Sequence, residues 1–169
     1  MPFVVAGLAG VALPGAAWAA NARVCFEAEN ASSTQSPIKV SRPGASKKYS
    51  GRGFLDIPWD GNKTKGVGSA VVYANVKTAG TYYLWARTFW ANGCGNSVEV
   101  AVNGAGPKVL GEDGQYDSWH WVGGKARVTL KAGVNTMKLH NHETGVRVDQ
   151  IVRELCRVRS YQNPATTWV

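Results

Sequence analysis

From residue 23 onward the chain is a series of short runs that alternate apolar and polar residues, each closed by a glycine- or asparagine-bearing turn. The pattern holds over Arg23–Glu29 (RVCFEAE), Gly68–Val76 (GSAVVYANV), Thr81–Trp90 (TYYLWARTFW) and Ser97–Val102 (SVEVAV). It continues over Trp119–Val122, Ala126–Leu130, Asn135–His140 and Val146–Val152. A period of two sends successive side chains to opposite faces of a pleated strand, and the β-branched and aromatic residues in these runs suit such a surface. Turn signals fall between them at Thr78-Ala79-Gly80, Asn103-Gly104 and Lys131-Ala132-Gly133. Strands at roughly 8–12-residue spacing with turns between them predict an all-β sandwich or barrel. Helix signals are scarce after residue 20.

The first twenty residues, MPFVVAGLAGVALPGAAWAA, carry no charge and include Ala17-Trp18-Ala19, an A-x-A cleavage pattern. They read as a secretory signal peptide, the alternative being a retained apolar segment that anchors or polymerises the protein. The expected organisation is therefore residues 1–19 as leader or retained segment, 20–158 as the sandwich, and 159–169 as a polar tail. Export puts the protein outside the cell or at its surface, where three cysteines suggest one disulfide and one leftover thiol. Cys25 and Cys156 lie near the two ends of the sandwich and meet if its first and last strands pair, which leaves Cys94 in its Gly-rich loop. The connectivity stays open at this level, since any two of the three can pair.

Composition narrows the class further. With 20 Gly, 7 Pro and 18% charged residues among 169, the chain is neither collagen-like nor a coiled coil, and 7 Trp, 6 Tyr and 4 Phe supply bulk for a core. The net charge of +8 lies wholly beyond residue 20 and favours acidic partners such as uronic or sulfated glycans. No run of Lys or Arg exceeds the pair Lys47-Lys48, so there is no nucleic-acid arm. Two sequons, Asn30-Ala31-Ser32 and Asn62-Lys63-Thr64, would accept glycans in a host that modifies them.

Several segments carry a resemblance when taken in order: an opening FEAE, AGTYYLWAR, a strand ending VNG, then LKAGVNTMKL and a closing VRVDQIV. Together, over about residues 23–155, they resemble the carbohydrate-binding modules of families 6 and 35. That resemblance implies an antiparallel jelly-roll β-sandwich of the galactose-binding-like kind and a non-catalytic, lectin-like role. It also implies a structural calcium held by Glu27, Glu29 and Asp149. The chemistry agrees, because calcium takes hard oxygen ligands and Glu27 and Glu29 sit two apart on one strand, on the same face.

For the sugar, the family uses aromatic rings stacked on a pyranose face with Asn or Arg on its hydroxyls. A sugar's C–H face is apolar and its rim polar, so a ring plus a few polar groups fixes orientation. The candidates are Trp90, Asn92 and Asn96 in one loop region, Tyr116, Trp119 and Trp121 in another, and Asn141 to Arg147 in a third. Asn141 is the nearest match to the family's ligand-binding Asn, and Arg147 offers a planar fork to a carboxylate or sulfate. Trp85, inside a long strand, is expected in the core. Trp119 and Trp121 share one strand face, with His120 opposite.

Other chemistry is weaker. His140 and His142 share a strand face and would ligate zinc or copper only with two further ligands. Glu112, Asp113 and Asp117 are loop carboxylates with nothing to set their pKa values apart, as glycoside hydrolysis requires. No nucleophile motif or phosphate loop is present, so no enzyme is expected. A different class of function also fits a sandwich with an apolar N-terminal segment: a structural subunit of an extracellular filament, pilus or surface layer, self-assembled through heterologous contacts or joined to other surface proteins.

Overall fold

A computed structural model describes residues 23–44, 46 and 48–155. Their strands are β1 (Arg23–Glu27), β2 (Ser33–Gln35), β3 (Lys39–Ser41), β4 (Phe54–Ile57), β5 (Ser69–Val76) and β6 (Gly80–Trp90). They continue with β7 (Ser97–Val102), β8 (Lys108–Gly111), β9 (Trp119–Leu130), β10 (Gly133–His140) and β11 (Val146–Leu155). A single 3-10 turn, Ala28–Asn30, follows β1. The strands form two antiparallel sheets, β3-β4-β11-β6-β9 with β1 also on β11, and β2-β5-β10-β7-β8. This is the expected β-sandwich. The leader, the tail, both outer sandwich boundaries and Cys156 lie outside the described residues.

The inward set of each alternation builds the core: Leu84, Ala86 and Trp90 from β6, Val98 and Val100 from β7, Met137 and Leu139 from β10, Val148 and Ile151 from β11. Two departures from expectation have local causes. Trp119–Val122 and Ala126–Leu130 are one strand, because the pairing of β9 with β6 shifts register between Tyr83 and Trp85 and absorbs the interruption at Gly123-Gly124. Trp85 is buried, but Leu84 and Ala86 on either side of it face the core, so alternation turns it to the sheet's other face, where it lines a cleft with Trp121. The short strands β2, β3 and β8 carry too few residues for a period to show.

One irregularity positions the chemistry. β11 pairs with β4 over Val146–Val148 and with β1 over Gln150–Glu154, on the same edge. Its register against β6 shifts between Val148 and Gln150. Asp149 is the residue at that bulge. It therefore sits where β11 changes partner from β4 to β1, beside the end of β1.

Candidate functional site

Asp149 is 0% exposed and lies with Glu27 and Glu29 so that one ligand atom from each falls within 4.8 Å of the others. Glu27 ends β1 and Glu29 follows in the 3-10 turn, which tips both carboxylates toward β11. The loop 48–52 closes over them. Ser50 donates its N–H to both Asp149 oxygens at 3.0 and 3.1 Å and its hydroxyl to Glu27 Oε1 at 2.8 Å, while the Arg52 N–H reaches Glu29 Oε1 at 3.1 Å. Gly51 makes this approach feasible: its φ is +57°, and a Cβ there would stand 2.1 Å from Glu29 Oε1. Arg87 completes the set with Nη1 2.6 Å from Asp149 Oδ2. Burial nonetheless pushes the Asp149 carboxyl up, against the pull of Ser50 and Arg87, and the charge of Glu27 adds to the rise.

Two oxygens of the cluster, Glu27 Oε2 and Glu29 Oε2, are buried with no hydrogen-bond partner. Buried polar atoms are ordinarily paired, and an unpaired carboxylate is costly in a low-dielectric site. An all-oxygen, triply acidic set with two unused donors fits a hard divalent cation. Among the described residues no other group of three His, Cys, Asp or Glu side chains is close enough to share an ion, so His140 and His142 join no metal cluster. Cys25, on the same strand face as Glu27, is a free thiol at the surface, pushed up to about 11 by desolvation and then by Glu27 and Asp149. Its register partner on β11 is Val152.

Beside the carboxylates, on the outer face of the same sheet, an open groove of about 800 Å³ is lined by Lys48, Tyr49, Phe54, Arg87, Phe89, Trp119 and Arg147, among others. Trp119 is its centre, with ring centroids 5.4 Å from Phe54, 5.7 Å from Phe89 and 6.0 Å from Tyr49. Phe54 is on β4 and Trp119 on β9, with β11 and β6 between them. Strands lie about 4.8 Å apart, so the two side chains lean toward each other across β11 and β6. Arg147 lies over the Phe54 and Phe89 rings at 5.5 and 5.1 Å, and Arg87 lies 5.9 Å from the Trp119 ring. Cations over ring faces are held in place without losing their donors.

Of the sequence candidates, Trp119 and Arg147 meet in this groove. Trp121 lines the neighbouring cleft with Trp85. Asn92 and Tyr116 stand at the loop end of the sandwich; Tyr116 is 40% exposed, and the side-chain oxygen of Asn92 accepts the Cys94 N–H. Trp90 and Asn141, 0% and 1% exposed, are turned inward and out of reach of a sugar. Asn141 instead donates to the Thr64 carbonyl at 2.7 Å, tying two loops together. The buried Asn96 passes its backbone N–H to Glu143. Gly95 is packed so closely that a Cβ would stand 2.2 Å from the Thr144 carbonyl oxygen, which accounts for the Gly93-Cys94-Gly95 sequence better than sugar contact does.

Sequence reasoning passed over Lys48, Tyr49, Phe54, Arg87, Phe89 and the exposed Trp59. Alternation within β6 puts Arg87 and Phe89 on one face, but only the pairing Phe89↔Trp119 and Arg87↔Trp121 shows what they face.

At the loop end, Glu143 accepts the Asn96 N–H at 3.1 Å and the hydroxyl of the fully buried Ser97 at 2.7 Å, and Lys65 lies 3.5 Å away. Burial pushes the Glu143 carboxyl up, but Asn96, Ser97, Lys65 and His142 outweigh it, and it ends below the usual carboxylate range. A folded-state value below the unfolded one means stability that is present above about pH 4.3 and lost as pH falls through the folded value. Glu143→Gln is therefore expected to flatten the acid side of a melting-temperature profile between about pH 5 and 2. A variant whose acid limb is as steep as the wild type's would contradict this.

No protein-family model matches the chain, and no curated protein matches it. Solved structures do match. A β-(1,4)-mannanase of Podospora anserina, described as GH26-CBM35, aligns at 24% identity and TM-score 0.61 over 82% of this chain and 28% of its own. A family 35 carbohydrate-binding module from Clostridium thermocellum aligns at 20% identity and TM-score 0.57 over 80% of this chain and 99% of its own. An exo-β-1,3-galactanase of Phanerochaete chrysosporium, solved with β-1,3-galactotriose, aligns at 17% identity and TM-score 0.58 over 78% of this chain and 29% of its own. The chain thus spans under a third of each enzyme and nearly all of the free-standing module. It has the fold of a family 35 carbohydrate-binding module.

Proposed function

We propose that this chain is a non-catalytic carbohydrate-binding module, exported to the extracellular space or cell surface. It holds an acidic glycan in the groove around Trp119 and a structural calcium ion at Glu27, Glu29 and Asp149. The observation that carries this reading is the groove, where aromatic rings from three strands and a loop form an apolar floor edged by Lys48, Arg87 and Arg147. Apolar faces take the C–H surface of a pyranose, and the cations at the rim suit carboxylate or sulfate groups. Calcium supplies the positive charge that three adjoining carboxylates lack, and Glu27 Oε2 and Glu29 Oε2 are the donors left for it.

The test is calorimetric titration of the full chain, in calcium, with oligogalacturonate and with neutral manno- and galacto-oligosaccharides. Micromolar to millimolar binding is expected, tighter for the uronic oligomer. Truncating a central aromatic costs about 2 kcal/mol or more, so Trp119→Ala should weaken binding about thirtyfold, at a smaller cost in stability than truncation of the fully buried Trp90. Arg147→Ala should remove most of the preference for the acidic oligomer. Unchanged affinity in Trp119→Ala, or a folded protein that self-associates and binds none of these saccharides, would overturn the reading.

A further inference from the structure

The carboxylate cluster and the groove share Arg87. Its Nη1 lies 2.6 Å from Asp149 Oδ2, its Nη2 donates to the Lys48 carbonyl at 3.1 Å, and its guanidinium carbon lies 5.9 Å from the Trp119 ring centroid. The loop 48–52 has the same double aspect. Its Lys48 and Tyr49 side chains wall the groove, while the N–H groups of Ser50 and Arg52 and the Ser50 hydroxyl bond the carboxylates. Glu29, 4% exposed, aims a partnerless oxygen into the cluster.

From this juxtaposition we infer that cation occupancy at Glu27, Glu29 and Asp149 sets the affinity of the groove for an anionic ligand, with Arg87 as the residue through which the two sites sense each other. The inference rests on the glycan-binding reading above and deepens it. Without a cation, three carboxylates adjoin one guanidinium, that of Arg87 on Asp149, and the excess negative charge lies beside the groove that Arg87 lines. Coulomb repulsion at partly buried sites is only weakly screened, so this charge opposes a uronate or sulfate. It also draws Arg87 fully onto Asp149. A bound divalent cation cancels the excess and leaves the field of Lys48, Arg87 and Arg147 facing the ligand. A neutral saccharide in the same groove feels little of this. The coupling is reciprocal, so the anionic ligand must tighten the cation by the same factor.

Arg87 also competes with the cation for Asp149. Removing its charge leaves the carboxylates less compensated, and cation affinity should rise, whereas loss of a purely structural residue would lower it or leave it unchanged.

The experiment titrates the full chain with calcium alone, and separately with oligogalacturonate in calcium and in chelator, for the wild type, Arg87→Gln and Arg87→Lys. Wild-type affinity for oligogalacturonate is expected to be about fivefold or more higher in calcium, with a neutral oligosaccharide changing less. Arg87→Gln is expected to bind calcium several-fold more tightly; Arg87→Lys, which keeps the charge, restores wild-type calcium affinity and covers the case in which the glutamine variant does not fold. Calcium affinity unchanged or weakened in Arg87→Gln, or an Arg87→Lys protein departing from the wild type as far as the glutamine variant does, overturns the role of Arg87. Equal oligogalacturonate affinity with and without calcium overturns the coupling. If the calcium-loaded wild type binds no saccharide, the glycan reading fails, and the calcium titrations still decide whether Arg87 shares Asp149 with the cation.

Discussion

Trp90→Ala is expected to destabilise the protein by about 3–5 kcal/mol, the range for truncating a large buried aromatic. Trp90 is fully buried at the end of β6, packed in the core and edge-on to His120 at 5.8 Å. Removing the indole opens a cavity between two sheets that meet from opposite sides, where neither can collapse inward without breaking its own pairing. The indole N–H has no hydrogen-bond partner, so the loss is one of volume and contact, and Trp90→Phe should cost clearly less. Urea unfolding followed by fluorescence and circular dichroism measures both. A Trp90→Ala protein within about 1 kcal/mol of the wild type would show that this end of the sandwich is loosely packed, since well-packed sites of this size lose more. Set beside Trp119→Ala, the substitution separates two tryptophans that the sequence alone offers equally as sugar contacts: Trp90→Ala should cost mainly stability, Trp119→Ala mainly the ligand.

The second large effect concerns Asp149. In calcium, Asp149→Ala is expected to cost about 3 kcal/mol, the low end for breaking a buried charged pair because Arg87 is partly exposed. The Ser50 N–H also loses its acceptor, and a ligand of the cation disappears. In chelator the loss should shrink, because deleting one of three crowded carboxylates relieves their mutual repulsion. The wild type should itself lose about 2.7 kcal/mol on chelation from a calcium level a hundredfold above Kd, whereas the variant should lose far less. Thermal melts in calcium and in chelator, for both proteins, give the four numbers. Equal losses under both conditions would mean that Asp149 serves only the loop and Arg87, without a cation.

The residues that make the sandwich are visible without a structure, because period-two alternation and turn residues are local properties of the chain. Ser97–Val102 is the same strand in both descriptions, and its inward valines are core residues. The acidic cluster was legible too, but only through the resemblance. Nothing local to Asp149 says that it sits at a bulge opposite β1, since its neighbours Val148 and Gln150 read as an unbroken strand.

The groove shows where local reading ends. Trp119 and Arg147 could be named from sequence as residues suited to a sugar, as could Trp90 and Asn141, which turned out to be interior. Side-chain type was the same on both sides of that division; facing was not. Phe54, Phe89, Arg87 and Tyr49 went unnoticed because what brings them together is the strand order β3-β4-β11-β6-β9 and the loop packed against it. Sequence by itself determined the class of fold, the inward residues of the long strands and the net positive charge. These follow from side-chain periodicity and composition, which need no knowledge of what lies across the sheet. The tertiary structure alone decided which aromatics line a surface, that Arg87 bridges that surface to a carboxylate cluster, and that a bulge buries Asp149 between them. Register and strand order join residues up to 131 positions apart, as Arg23 and Glu154 are, and no local pattern in the chain carries that information.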